Sequence, residues 1–187
     1  MTESRLDEIA PTVFQFPCLS EAEADEIHAR LRRAATWEPA PIRKRAPNTT
    51  RLREDLRVSW EIREHAAPDL FSHFERTVRA RAAALATELA IGAFEVSEIR
   101  ALRYDEGGFF KVHTDTTGQD GRRFAIVIYL NDDFEGGATV FPLLGCRSTP
   151  KKGKGLVFPT DRLHRGDVVT SGTKYILVLW LMTPMAA

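Results

Sequence analysis

The sequence predicts a mainly β, α+β domain: a barrel or jelly roll with helices packed against its outside. Three observations predict it. Residues 68–92 carry apolar side chains at three- and four-residue steps, the period of a helix with one buried face. From Phe94 onward the pattern changes to short apolar runs punctuated by Gly, Pro, Asn and Asp clusters, which is how strands and turns alternate. A length of 187 residues suits one domain, 1–187, whose core needs neither disulfides nor structural metal. Helices that precede a run of strands pack outside the sheet.

Residues 1–11 read as a loose tail. Over 12–92 the chain reads as helical support. Its first helix spans 20–35, opened by a Ser20–Glu23 capping box and carrying Ile27 and Leu31 on one face. Between Ile42 and Arg57 lie six basic and two acidic residues, interrupted by Pro47 and Asn48. That segment reads either as a solvated connector or as a mobile basic lid beside a site. The helix over 68–92 has Phe71, Phe74, Val78, Ala82, Leu85 and Leu89 in its stripe, Pro68 in its first turn and Gly92 at its end. The jelly-roll core occupies 93–184, with strands in "VSEIRALRY", "FFKVHTD", "RFAIVIYLN", "ATVFPLL", "GLVFP" and "KYILVLWLM".

Composition narrows the function classes. Hydrophobic residues at 43% and charged residues at 28% are those of an ordinary globular protein. A formal net charge of zero argues against a partner made of nucleic-acid phosphates. The N-terminus is acidic without an apolar run, and the longest such run, 175–182, is strand-sized, so neither a leader nor a membrane span is expected. Cys18 and Cys146 lack metal-type spacing and read as free thiols, so the expected compartment is the cytoplasm. Oligomeric state is not legible.

Chemistry concentrates in "KVHTDTTG", 111–118. Side chains two apart on a strand share a face, so an extended 109–115 projects His113 and Asp115 together. A further histidine, His164, follows the apolar run "GLVFP". His-x-Asp with a remote His is the two-histidine, one-carboxylate set, which leaves adjacent positions open on Fe(II). Lys174 lies ten residues past His164 and shares a face with Ile176, Val178, Trp180 and Met182. A cation behind an apolar pocket would hold the far carboxylate of a small diacid. Tyr129, sharing a face with Ala125 and Val127, offers a phenolic donor to the same oxygens. Trp180 reads either as substrate-facing or as a core plug, and Arg122 as substrate-facing or as a turn charge. His28, His65 and His73 read as structural or solvated.

Five motifs in order, "RYDEGGFFKVHTD", "YLN", "GGATVF", "GLVFPTDRLH" and the lysine ten residues beyond, resemble the Fe(II)- and 2-oxoglutarate-dependent dioxygenases, specifically the prolyl 4-hydroxylase-like group. The resemblance covers about residues 95–183. It implies a double-stranded β-helix, a jelly-roll variant. It implies that His113, Asp115 and His164 bind iron as the catalytic and metal residues. Lys174, Tyr129 and Tyr104 would then bind 2-oxoglutarate, with O2 as co-reactant and ascorbate as reductant. The reaction implied is hydroxylation of an unactivated C–H bond, releasing succinate and CO2. Halogenating relatives have a small residue where this chain keeps Asp115, hence hydroxylation. Two departures stand out: Ala138 replaces the acidic residue usual in that turn, and the anchor is Lys where many relatives have Arg. Lys lacks the bidentate fork of Arg.

The expected substrate is a prolyl residue of a protein or peptide; the alternative is a free amino acid or small metabolite. A nucleic-acid demethylase on the same scaffold is disfavoured by the zero charge and by Lys174. A non-catalytic jelly-roll module is disfavoured by retention of the whole ligand set.

Overall fold

The computed structural model describes residues 6–43, 50–116 and 121–184. Two antiparallel sheets form the core. In the larger, eight strands run in the order Asp7–Ala10, Val13–Pro17, Lys154–Pro159, Arg122–Tyr129, Lys174–Met182, Arg100–Tyr104, Trp60–Arg63 and Glu38–Pro39. Glu95–Val96 pairs with the far end of Lys174–Met182. The smaller sheet runs Cys146–Ser148, Thr139–Phe141, His164–Gly166, Phe109–His113 and Arg57–Val58.

The strand Lys174–Met182 explains how the layers form. It is buried on both faces until Met182. Its alternate residues Tyr175, Leu177, Leu179 and Leu181 join a core shared with the helices. Ile176, Val178 and Trp180 point the other way, into a second core with Phe141 and Val169. A period-two strand that is apolar throughout is therefore the middle layer between helices and the smaller sheet. This is the jelly roll that the strand-and-turn pattern predicts.

Helix α1, Glu21–Arg33, begins with the expected box: Ser20 Oγ accepts from Glu23 N at 3.2 Å, and Glu23 returns a carboxylate oxygen to Ser20 N at 2.7 Å. Ala24, Ile27 and Leu31 are its buried face.

Three expectations need correction. The helix expected over 68–92 is broken into α2, Pro68–Phe71, and α3, Glu75–Glu88. Ser72 Oγ donates back to Asp69 O at 2.9 Å, and Phe74 leaves helical geometry with φ −134°. The apolar stripe survives the break because Phe71 and Phe74 pack with ring centres 5.1 Å apart. Beyond α3 the chain turns at Ala90, φ 51°, before reaching Gly92. The tail expected over 1–11 is, from Asp7, an edge strand hydrogen-bonded to Val13–Pro17. Short charged strands suit sheet edges, and their composition mimics a tail. Finally, 12–92 is not purely helical, since Val13–Pro17 and Trp60–Arg63 belong to the larger sheet.

Both cysteines are free. Among the described residues, no helix is long and apolar enough to cross a membrane.

Candidate metal centre and its cavity

Strand pairing brings the distant histidines together. His113 and His164 are direct cross-strand partners in the smaller sheet, so their side chains share a face and their ring centres lie 4.2 Å apart. The strand ends at His113, so Asp115 is not placed by simple alternation. It sits in the bend that follows, pinned by Asp115 N and Thr116 N donating to Thr160 O at 2.9 and 3.1 Å. Asp115 Oδ1 comes within 3.5 Å of His113 Nε2 and 4.0 Å of His164 Nε2. One ligand atom from each residue lies within 4.8 Å of the other two.

The second ring nitrogens fix the first. His113 Nδ1 lies 2.8 Å from Lys111 O, and His164 Nδ1 lies 2.9 Å from Arg162 O. Backbone carbonyls only accept, so each Nδ1 carries the proton and each Nε2 keeps a free lone pair facing Asp115. Phe110 stacks on His113 at 3.5 Å, and Phe158 meets His164 edge-on at 4.7 Å, which limits ring rotation. Burial pushes the His164 imidazole down to about 4, keeping it in the neutral form near pH 7. Burial acts on Asp115 in the opposite sense, raising its pKa. The two facing histidine rings and the Trp180 indole N–H outweigh it and hold the carboxyl below its usual range. Two imidazoles and one carboxylate suit a ferrous ion.

The cavity that the triad lines is also walled by Leu102, Val127, Ile176 and Val178, and by Lys174. Lys174 is 3% exposed, and Nζ donates to Gly137 O at 2.6 Å. Gly137 has to be glycine: its φ is +61°, and a Cβ would meet Lys174 Cδ at 3.1 Å and the Phe134 ring at 2.9 Å. Burial lowers the Lys174 ammonium to about 8, with Asp167 opposing. Tyr104, its cross-strand neighbour, lies with its ring centre 5.1 Å from Nζ and also lines the cavity.

Of the site residues read from sequence, His113, Asp115, His164, Lys174, Tyr104 and Trp180 line this one cavity. Tyr129 is set one layer back, fully buried, with its hydroxyl 2.8 Å from Thr139 Oγ1; Thr139 faces the cavity in its place. Burial raises the Tyr129 phenol to about 12. Arg122 lies in the outer cleft, its guanidinium 3.8 Å from the Trp180 ring centre. Trp180 is neither a plain core plug nor merely rim: its Nε1 donates to Asp115 Oδ2 at 3.0 Å. Missed by the sequence reading were Arg57, Glu61 and Arg100, which also line the cavity. Alternation puts Glu61 and Arg63 on one face of "WEIR" and Arg100, Leu102 and Tyr104 on one face of "RALRY", but only the pairing Arg63↔Arg100 and Glu61↔Leu102 joins those faces at the site.

Residues 99–182 match the family model described as the 2OG-Fe(II) oxygenase superfamily. Among curated relatives, an Acanthamoeba polyphaga mimivirus protein carrying a prolyl 4-hydroxylase name is 30% identical over 105 residues, 44% of this chain and 43% of its own. A PKHD-type hydroxylase of Acaryochloris marina is 25% identical over 87% of this chain and 69% of its own length. The chain thus spans less than half the length of the mimivirus relative. Among solved structures, a Pseudomonas putida prolyl-4-hydroxylase superposes with TM-score 0.69 at 20% identity, covering 93% of this chain and 94% of its own. A Trichoplax adhaerens prolyl hydroxylase in complex with a hypoxia inducible factor peptide fragment gives TM-score 0.72 at 14% identity, covering 91% of this chain and 83% of its own. At such identities the structures establish the shared fold. The stretch 99–182 that matches the 2OG-Fe(II) oxygenase superfamily model holds all three ligand candidates and Lys174.

Proposed function

We propose that this protein is an Fe(II)- and 2-oxoglutarate-dependent hydroxylase of an unactivated C–H bond in a prolyl residue of a protein or peptide, with succinate and CO2 as co-products. The observation that carries the reading is the convergence of His113, Asp115 and His164 in a cavity that a buried lysine, Lys174, also lines. The donor set fits ferrous iron, and the pre-set Nε2 lone pairs support the fit. Bound there with 2-oxoglutarate and O2, iron supplies the oxidising power that no side chain has. We propose ascorbate as the reductant that would keep the metal ferrous.

The chain's own residues bind, orient and shield. Lys174 attracts the distal carboxylate of the cosubstrate in a desolvated ion pair, stronger than the same contact in water. Tyr104 and Thr139 stand beside it, and Tyr129 orients Thr139 through their hydroxyl pair. Leu102, Val127, Ile176 and Val178 exclude water along the cosubstrate's path. Trp180 holds one Asp115 oxygen so that the other faces the metal position.

The outer cleft is lined by Arg57, Arg63, Arg100, Lys111 and Arg122, with Asp115 its single acidic group among the described residues. Ile42 and Leu56, the described ends of the basic segment, border it too, while 44–49 fall outside the described residues. This supports the lid reading of 42–57 and an acidic peptide as substrate. Ferrous iron and two free cysteines both suit a reducing compartment, so we assign the cytoplasm.

The test is spectroscopic. Anaerobic addition of Fe(II) and 2-oxoglutarate gives a weak visible charge-transfer band in the wild type and none in Asp115→Ala. Peptides from cell extract then gain one oxygen atom, by mass spectrometry, only with the wild type. A wild type without the band contradicts the assignment.

A further inference from the structure

One wall of the cavity carries charges that the cosubstrate and metal do not use. Strands Trp60–Arg63 and Arg100–Tyr104 pair with Arg63 opposite Arg100 and Glu61 opposite Leu102, so Glu61, Arg63 and Arg100 share the face that looks into the site. Glu61 and Arg100 line the same cavity as His113 and Asp115. Glu61 is only 4% exposed. Its Oε1 accepts from Arg63 Nε at 2.6 Å, but its buried Oε2 has no hydrogen-bond partner among the described residues. Arg100 Nη1 stands 3.8 Å from that oxygen, beyond hydrogen-bonding range. Arg100 Nε is likewise buried and unpartnered, 3.9 Å from Glu98 Oε2.

An unmet acceptor and an unmet donor therefore belong to two residues that line the same cavity. Leaving a buried carboxylate oxygen unsatisfied is costly, and an apolar pair at these positions would build the wall without that cost. One ligand group presenting both an N–H and a carbonyl or carboxylate oxygen would satisfy the two together.

We propose that Glu61 and Arg100 form the subsite for the main chain of the amino-acid substrate, Glu61 Oε2 accepting its N–H and Arg100 Nε donating to its oxygen. The identity of the cavity as an oxygenase site rests on the reading above; the subsite itself rests on this pair. Two sources carry the chemistry. An acylated prolyl nitrogen has no hydrogen, so in a peptide the donor is the amide N–H of the following residue. In a free amino acid the donor is the ammonium and the acceptor the carboxylate. The basic outer cleft favours the peptide source, an acidic chain laid across it.

Calorimetric titration of the full chain, oxygen-free with Mn(II) and 2-oxoglutarate, tests this with three probes. They are N-acetyl-prolyl-alanine N-methylamide, its analogue with an ester in place of the prolyl–alanine amide, and free L-proline. Wild type binds the amide about tenfold more tightly than the ester, the loss of one hydrogen bond to a charged group. In Glu61→Gln the amide weakens to the level of the ester, and the ester is unaffected. Arg100→Gln weakens both. If L-proline instead shows the Glu61 dependence, the subsite stands and its source is the free amino acid. Equal affinity of amide and ester for the wild type, with L-proline insensitive to Glu61→Gln, overturns the proposal. Failure of all three probes while 2-oxoglutarate binds overturns it too. Failure of metal and 2-oxoglutarate binding, with Glu61-dependent probe binding retained, removes the oxygenase reading alone.

Discussion

Trp180 joins the metal position to the outer cleft. Its indole N–H holds Asp115 Oδ2, while the guanidiniums of Arg122 and Arg100 stand 3.8 and 5.2 Å from its ring centre. Trp180→Phe keeps the ring and deletes the donor. Outer-shell partners of this kind are worth about 10- to 100-fold in metal affinity, so Fe(II) binding weakens by that order with the fold intact by circular dichroism. Unchanged affinity removes the positioning role. Lys174 makes a pH prediction. Its burial-lowered pKa of about 8 means the free protein loses the cation as pH rises through that value. Only the ammonium attracts a carboxylate, so 2-oxoglutarate affinity is constant below about pH 8 and falls about tenfold per unit above it. Lys174→Met binds weakly at every pH and flattens the profile. A wild-type profile flat to pH 9.5 contradicts the anchor role.

At the scale of elements, the site is assembled by sheet register. The pairing His113↔His164 sets the imidazoles, and Lys174↔Tyr104 sets the back wall. The residue types and spacing of these strands were legible: His-x-Asp, the distal His and the lysine at the head of a final apolar strand. Register was not legible, because it depends on which strands become neighbours. That is why Glu61 and Arg100, 39 positions apart in sequence, were missed while His113 and Asp115 were found. Tyr129 lies on the predicted face, yet the depth at which Thr139 meets its hydroxyl is a packing property without sequence signal. The break between α2 and α3 is equally hidden, since Phe71, Phe74 and Val78 keep helical spacing across it. The basic segment 42–57 belongs at this scale as well. Scrambling its charges weakens peptide binding and spares 2-oxoglutarate turnover, as compared by KM against kcat. An unchanged peptide KM excludes the lid.

For the whole molecule, two cores divide the labour. Helices and the outer face of the larger sheet make one, rich in Leu31, Phe71, Leu85 and Leu179, with no part in the chemistry. The second lies between the sheets and stays incomplete, ending in the cavity that holds the triad. A rigid outer core lets the inner one keep polar groups that a simple sandwich would bury at a loss. Their arrangement has one purpose in this account, a ferrous ion held by two imidazoles and a carboxylate. Anaerobic calorimetric titration of Fe(II) into the metal-stripped chain tests it most directly. The account predicts one site per chain, with affinity reduced in Asp115→Ala by more than the about 100-fold that outer-shell changes reach. Absence of Fe(II) uptake, or equal uptake by Asp115→Ala, would contradict it.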